Sequence, residues 1–174
     1  MQATSLSIDA VNALCEAEFA ARFGDVAEHS PWVAQAAYQA RPFADRAALA
    51  AAFAAAVRGA APDAQLALLR AHPDLADRAA IAGGGLAAES RREQAGAGLD
   101  RLTRGEFTRF RGLNTRYRER FGFPFIFAVK GATKEDILNA FEQRIANSAA
   151  TERALALANV ERILRFRIED RVAS

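Results

Sequence analysis

The chain has 174 residues, a length for one domain that buries about 70% of the surface its unfolded form exposes. Hydrophobic residues make up 51% of it, but alanine dominates them, which favours closely packed helices over a bulky core. The formal charge is only +2 and there is no apolar run of about 18 residues, which argues against a strongly basic binding protein and excludes a membrane-spanning helix.

Helical spacing and stop signals divide the chain in order. One helix is expected over Ile8–Phe23, with Val11, Leu14, Phe19 and Phe23 apolar and Gly24 as its stop. Ser30-Pro31 opens a second through Ala40, and Arg41-Pro42 breaks it. Asp45 opens a third that Gly59 closes, and Pro62-Asp63 opens a fourth that must end at His72-Pro73, because a residue before proline resists the α region. Gly83-Gly84-Gly85 reads as a loop. Helix formers then run from Ser90 to Glu119, with an interruption expected around Thr103–Gly105. Thr133 caps a helix from Lys134 to about Asn147, and a last helix runs from about Thr151 to Arg171. The expectation is an all-α, single-domain helical bundle over residues 1–174.

One stretch does not fit the helical pattern. Phe121-Gly122-Phe123-Pro124-Phe125-Ile126-Phe127-Ala128-Val129-Lys130 reads as a buried extended segment with no strand to pair with. Its backbone N–H and C=O groups must then be satisfied by side chains, ordered water or a ligand.

Three places could carry chemistry. His72 falls at a helix C-terminus, where the dipole favours the imidazolium form, and Pro73 fixes its backbone. A C-capping role is the plain alternative. Ser90-Arg91-Arg92-Glu93-Gln94 is either a capping box, with Ser90 as N-cap and Glu93 folding back, or a helix N-terminus that meets a ligand through a proton-handling Glu93 and an amide reader, Gln94. At about 100° per residue, Leu157, Val160, Leu164 and Ile168 share a face of the last helix, and Arg167 falls among them whereas Arg162 and Arg165 do not. A cation in that sector requires an internal carboxylate or a bound anion or carbonyl.

Taken together, His72-Pro73-Asp74-Leu75-Ala76, Ser90-x-x-Glu93-Gln94 followed by Ala97-Gly98-Leu99, and Leu113-Asn114-x-x-Tyr117-x-x-Arg120-Phe121-Gly122-Phe123-Pro124-Phe125-Ile126 resemble the OHCU decarboxylase family. Arg41-Pro42-Phe43 and Arg167 extend the resemblance over nearly the whole chain. It departs from the family pattern at Asp77, at Ala87-Ala88 and at Phe127, positions that bear on loop conformation and pocket size.

The resemblance implies an all-helical homodimer without metal or organic cofactor. Its small-molecule substrate would be 2-oxo-4-hydroxy-4-carboxy-5-ureidoimidazoline, decarboxylated to (S)-allantoin. It implies that His72 and Glu93 are catalytic. Pro73, Ser90, Gln94, Arg167 and the backbone of Phe125, Ile126, Phe127, Ala128 and Val129 would bind substrate, the extended segment lining the site.

Other readings of the sequence remain. Arg101, Arg104, Arg109, Arg111, Arg116, Arg118 and Arg120 could make a basic helical binding module, although interspersed acids and the absence of a nucleic-acid signature argue against it. A non-enzymatic helical interaction protein that keeps the family fold is the second, although His72, Glu93, Gln94 and Arg167 together argue against it, and a decarboxylase for another ureido or imidazoline acid is the third. One cysteine, Cys15, excludes an internal disulfide and fits a reducing cytosol, and with two histidines it argues against an ordinary zinc site. Met1–Leu14 lacks the regions of a secretory leader and the last four residues are no peroxisomal address, so a cytoplasmic protein without membrane partners is expected.

Overall fold

Side chains that cap free backbone N–H groups set most helix N-termini in the computed structural model, which describes residues 5–77 and 88–174. Among these residues the chain forms nine helices and no strand: α1 (Ile8–Ala13), α2 (Glu16–Phe23), α3 (Trp32–Tyr38), α4 (Arg46–Gly59), α5 (Pro62–Ala71), α6 (Ala88–Gly96), α7 (Arg104–Phe121), α8 (Lys134–Arg144) and α9 (Ala149–Arg171). The all-α expectation holds. The Asp45 carboxylate accepts the Ala48 N–H at 2.7 Å and starts α4. Thr103 with Glu106, and Thr133 with Asp136, form reciprocal capping boxes that start α7 and α8. Gly122 ends α7 in the left-handed region (φ 75°), where a side chain would be strained.

Three boundaries differ from the sequence reading. The single helix expected over Ile8–Phe23 is two. Leu14 and Cys15 are extended, and the Cys15 N–H is taken by the Glu18 carboxylate at 2.9 Å, which starts a new helix. The interruption before α7 begins earlier than Thr103, with Gly98 in the left-handed region (φ 78°) and Thr103 itself serving as the N-cap of α7. Ser90 is not an N-cap: α6 is already helical at Ala88. Gly83-Gly84-Gly85 and Ala87 lie outside the described residues.

The chain divides into two compact units, Met1–Ala71 with Val160–Ser174, and His72–Asn159, and α9 contributes residues to each. In the first, α2 packs on α3 and α3 on α4. Phe19 sits among Phe23, Phe43 and Phe53, with ring centroids 4.8, 6.2 and 6.3 Å away. Burying each such ring contributes about 1.5–3 kcal/mol. The Asn12 amide bonds both backbone groups of Phe43, and Leu6 bonds Arg171 and Ala173, which fastens the chain's first described residues to its last.

In the second unit α7 packs on α8, and the extended segment after Gly122 is held by side chains. Arg144, on the apolar face of α8, donates from Nη1 to the Ile126 carbonyl at 2.9 Å and from Nε to Glu152 Oε1 at 2.8 Å. Glu152 is fully buried and also receives the Tyr117 hydroxyl and, at 2.9 Å, Asn147 Nδ2. Burial first, then the bond to Glu152, pushes the Tyr117 hydroxyl well above its ordinary pKa, so it stays a neutral donor. The Arg144 guanidinium lies 4.5 Å from the Phe125 ring centre, and Phe125 stacks on Phe141 at 3.9 Å. Removing one partner of such a buried pair strands the other charge. Arg144→Met should therefore lower unfolding free energy by about 3–5 kcal/mol in denaturant titrations. A loss below about 1 kcal/mol, the value of a surface pair, would show that the segment is held by something else.

Candidate active site

Pro73 has no N–H and disfavours helix at the residue before it, so α5 stops at Ala71 and His72 becomes the first residue of a turn. His72 is 7% exposed. The three residues after Pro73 are each tethered. Arg118 Nε donates to both carboxylate oxygens of Asp74 at 2.8 and 3.0 Å. Asn114 Nδ2 donates to the Leu75 carbonyl at 2.9 Å, and the Ala76 N–H donates to Gln94 Oε1 at 3.0 Å. Ala76 has φ 60°, a left-handed conformation that a non-glycine residue keeps only when its surroundings impose it.

Ser90, Glu93 and Gln94 lie on α6 at spacings of three and four, hence on one helix face. Ser90 and Gln94 are buried and Glu93 is half-buried. The Gln94–Ala76 bond joins that face directly to the histidine turn. His72, Pro73, Ser90, Glu93, Gln94 and the segment Phe125–Val129 therefore all belong to one compact unit.

Phe125, Ile126, Ala128 and Val129 are buried and Phe127 is half-buried. Besides the Ile126 carbonyl on Arg144, the Ala128 N–H has a partner, Asn159 Oδ1 at 3.0 Å. The N–H groups of Phe125, Phe127 and Val129 have none among the described residues. Side chains thus satisfy part of the backbone that the sequence left unaccounted for.

A buried imidazole on a tethered turn, in the same unit as a carboxylate and an extended backbone, is a set of parts for proton transfer to a small polar ligand. A sequence model described as OHCU decarboxylase matches residues 12–169. The chain belongs to this family. A 2-oxo-4-hydroxy-4-carboxy-5-ureidoimidazoline decarboxylase of Haloferax volcanii is 43% identical over 169 residues, covering 97% of this chain and 98% of that protein. One from Amia calva is 41% identical over 160 residues, covering 92% and 91%. A crystal structure of (S)-allantoin synthase superposes with a TM-score of 0.78 at 31% identity, over 97% of this chain and 54% of that one.

Against the residues that the OHCU decarboxylase resemblance assigns, Arg167 stands differently from the rest. It lies in the first unit, 3% exposed, and its Nη1 donates to Glu28 Oε2 at 3.2 Å and to the Val26 carbonyl at 3.1 Å. Glu28 is itself 3% exposed. The internal carboxylate, one of the two partners that the sequence left open, is present. Four of the seven arginines of the rival basic surface have partners: Arg101 pairs with Asp100, Arg109 with Glu142 and Arg118 with Asp74, and Arg120 donates to the Asn147 carbonyl.

Sequence reasoning gave no role to Asn114, which it named only within a motif, and missed Arg144, Glu152 and Asn159. For three of them the signal existed. Buried positions on α7 are Phe110, Leu113, Asn114 and Tyr117, and on α8 Ile137, Leu138, Phe141 and Arg144. Glu152 precedes Ala156, Val160 and Leu164 at intervals of four. The test that singled out Arg167, a polar residue inside an apolar stripe, singles out these as well. Asn159, half-buried, gives no such signal.

Arg167→Met takes a charged partner from the buried Glu28 carboxylate and should cost about 3–5 kcal/mol, most of it recovered in Glu28→Met/Arg167→Met. If Arg167 also holds the substrate, the double variant regains stability but keeps a raised KM. A parent-like KM in the double variant would assign Arg167 to Glu28 alone.

Proposed function

We propose that this protein decarboxylates 2-oxo-4-hydroxy-4-carboxy-5-ureidoimidazoline to (S)-allantoin and CO2 in urate degradation, as a cofactor-independent carboxy-lyase. Family membership and the activities for which its relatives are named support the reaction. The observation that carries the residue assignment is the buried His72 on a turn whose residues 74–76 are tethered.

Decarboxylation breaks a C–C bond and needs somewhere to place its electron pair. Enzymes that borrow pyridoxal or thiamine use the cofactor for this. In this substrate a C=N bond adjoins the carbon bearing the hydroxyl and carboxylate, so the electron pair moves onto the substrate itself. What remains for the protein is one proton-transfer group and fixed hydrogen-bond donors. His72, oriented or charged by Glu93, takes the hydroxyl proton as CO2 departs, the carbon that carried the carboxylate becomes a carbonyl, and protonation of the former C=N carbon from one face gives one enantiomer. General acid–base help of this kind is worth roughly 10²–10⁴-fold.

Ser90, Gln94 and the amides of Phe125, Phe127 and Val129 hold the ureido and ring carbonyls, with Pro73 against the substrate. Gln94 Oε1 is already used by Ala76, which leaves its amide NH₂ for the ligand. Arg167 keeps its substrate role here on the strength of the sequence match. A single family model runs through both units, and on that basis residues 1–174 act as one domain, in a homodimer as in the family. Among the described residues no helix is long and apolar enough to cross a membrane, and a cytoplasmic location goes with the reading.

His72→Asn keeps a neutral polar side chain of similar reach but cannot shuttle a proton. It should lose roughly 10²–10⁴ in the rate of stereoselective allantoin formation from freshly made substrate, with its helical circular dichroism unchanged. Parent-rate turnover by the folded variant would remove His72 from the mechanism.

A further inference from the structure

Asn114 occupies a place where an apolar residue is expected. It lies between Leu113 and Tyr117 and one turn after Phe110, in the buried seam of α7. Its Nδ2 serves the Leu75 carbonyl at 2.9 Å, while its Oδ1 is buried and has no hydrogen-bond partner among the described residues. An amide oxygen left in that state costs about 1–3 kcal/mol. A leucine there would avoid that penalty but would leave the buried Leu75 carbonyl without its donor, a cost of similar size. The two costs offset, so stability alone does not select asparagine here. What it supplies is a fixed position for Leu75, three residues after His72.

We propose that Asn114 is a positioning residue for His72, acting through Leu75. The inference rests on the decarboxylase reading above. Of the three tethers on the turn, the Arg118–Asp74 pair is partly exposed and of the kind that contributes little. Gln94 holds Ala76, whose left-handed backbone sets the way out of the turn. Asn114 holds the middle residue from the buried seam of a long helix, so it limits how far the imidazole can drift when the turn fluctuates.

The test is Asn114→Leu in the full chain, with Asn114→Ser, too short to reach Leu75, as the variant without added bulk. The expected result is an unfolding midpoint within a few degrees of the parent. The kcat falls up to roughly 10²-fold, the penalty of a misplaced catalytic group, while KM stays close to the parent's, and the His72 limb of the pH profile of kcat is displaced. Parent kcat in a folded variant overturns the proposal. So does a rise in KM with kcat intact, which would make Oδ1 a direct acceptor for a substrate N–H. If the parent protein itself fails to turn over the ureidoimidazoline, the decarboxylase reading falls and takes this inference with it. Loss confined to the Asn114 variants leaves that reading intact.

Discussion

The carboxylate of Glu152 is fully buried, and Arg144, Tyr117 and Asn147 all direct donors at it. A buried charge in this position is tolerable only because a cation and neutral hydrogen bonds surround it. The consequence reaches beyond the pair. Once Arg144 is fixed by Glu152, its remaining nitrogen satisfies the Ile126 carbonyl and its plane covers the Phe125 ring. A segment that is neither helix nor strand can then sit inside a helical unit without abandoning its backbone polar groups. Asn159, on α9, does the same for the Ala128 N–H.

A second constraint is the proline after His72. It ends α5 where the imidazole begins, and the chain then makes a turn. Three tethers from α6 and α7 reach that turn, in which Ala76 keeps a φ of 60°. Helices that hold a turn carrying a catalytic group are a usual arrangement, because helices position more accurately than loops do.

Much of this is legible in the sequence, for physical reasons that differ by residue. Asp45 and Thr133 carry short polar side chains that compete for free helix N–H groups, and Pro73 cannot continue a helix, so these boundaries follow from covalent structure. The break at Leu14-Cys15 does not, because it depends on Glu18 reaching back to a backbone N–H that any residue could offer. Ser90 misleads because serine three residues before glutamate is the capping-box pattern, whereas α6 is already helical there. The Phe-rich segment reads correctly as extended and without a strand partner. Which side chains satisfy it cannot be read, since Arg144 and Asn159 stand 18 and 31 residues from the groups they serve. Arg167 is identifiable as a buried cation, but Glu28, its carboxylate partner, lies 139 residues away.

The chemistry proposed for the family's substrate asks little of the protein beyond orientation and one proton transfer, and the second unit's buried histidine, carboxylate-bearing helix face and partly satisfied extended backbone are suited to that. The most direct measurement is to generate the ureidoimidazoline by urate oxidation and hydroxyisourate hydrolysis, add this protein, and follow the decay of the intermediate together with the optical activity of the allantoin formed. Accelerated decay with accumulation of (S)-allantoin is the predicted result. Decay at the uncatalysed rate to racemic allantoin would contradict the account.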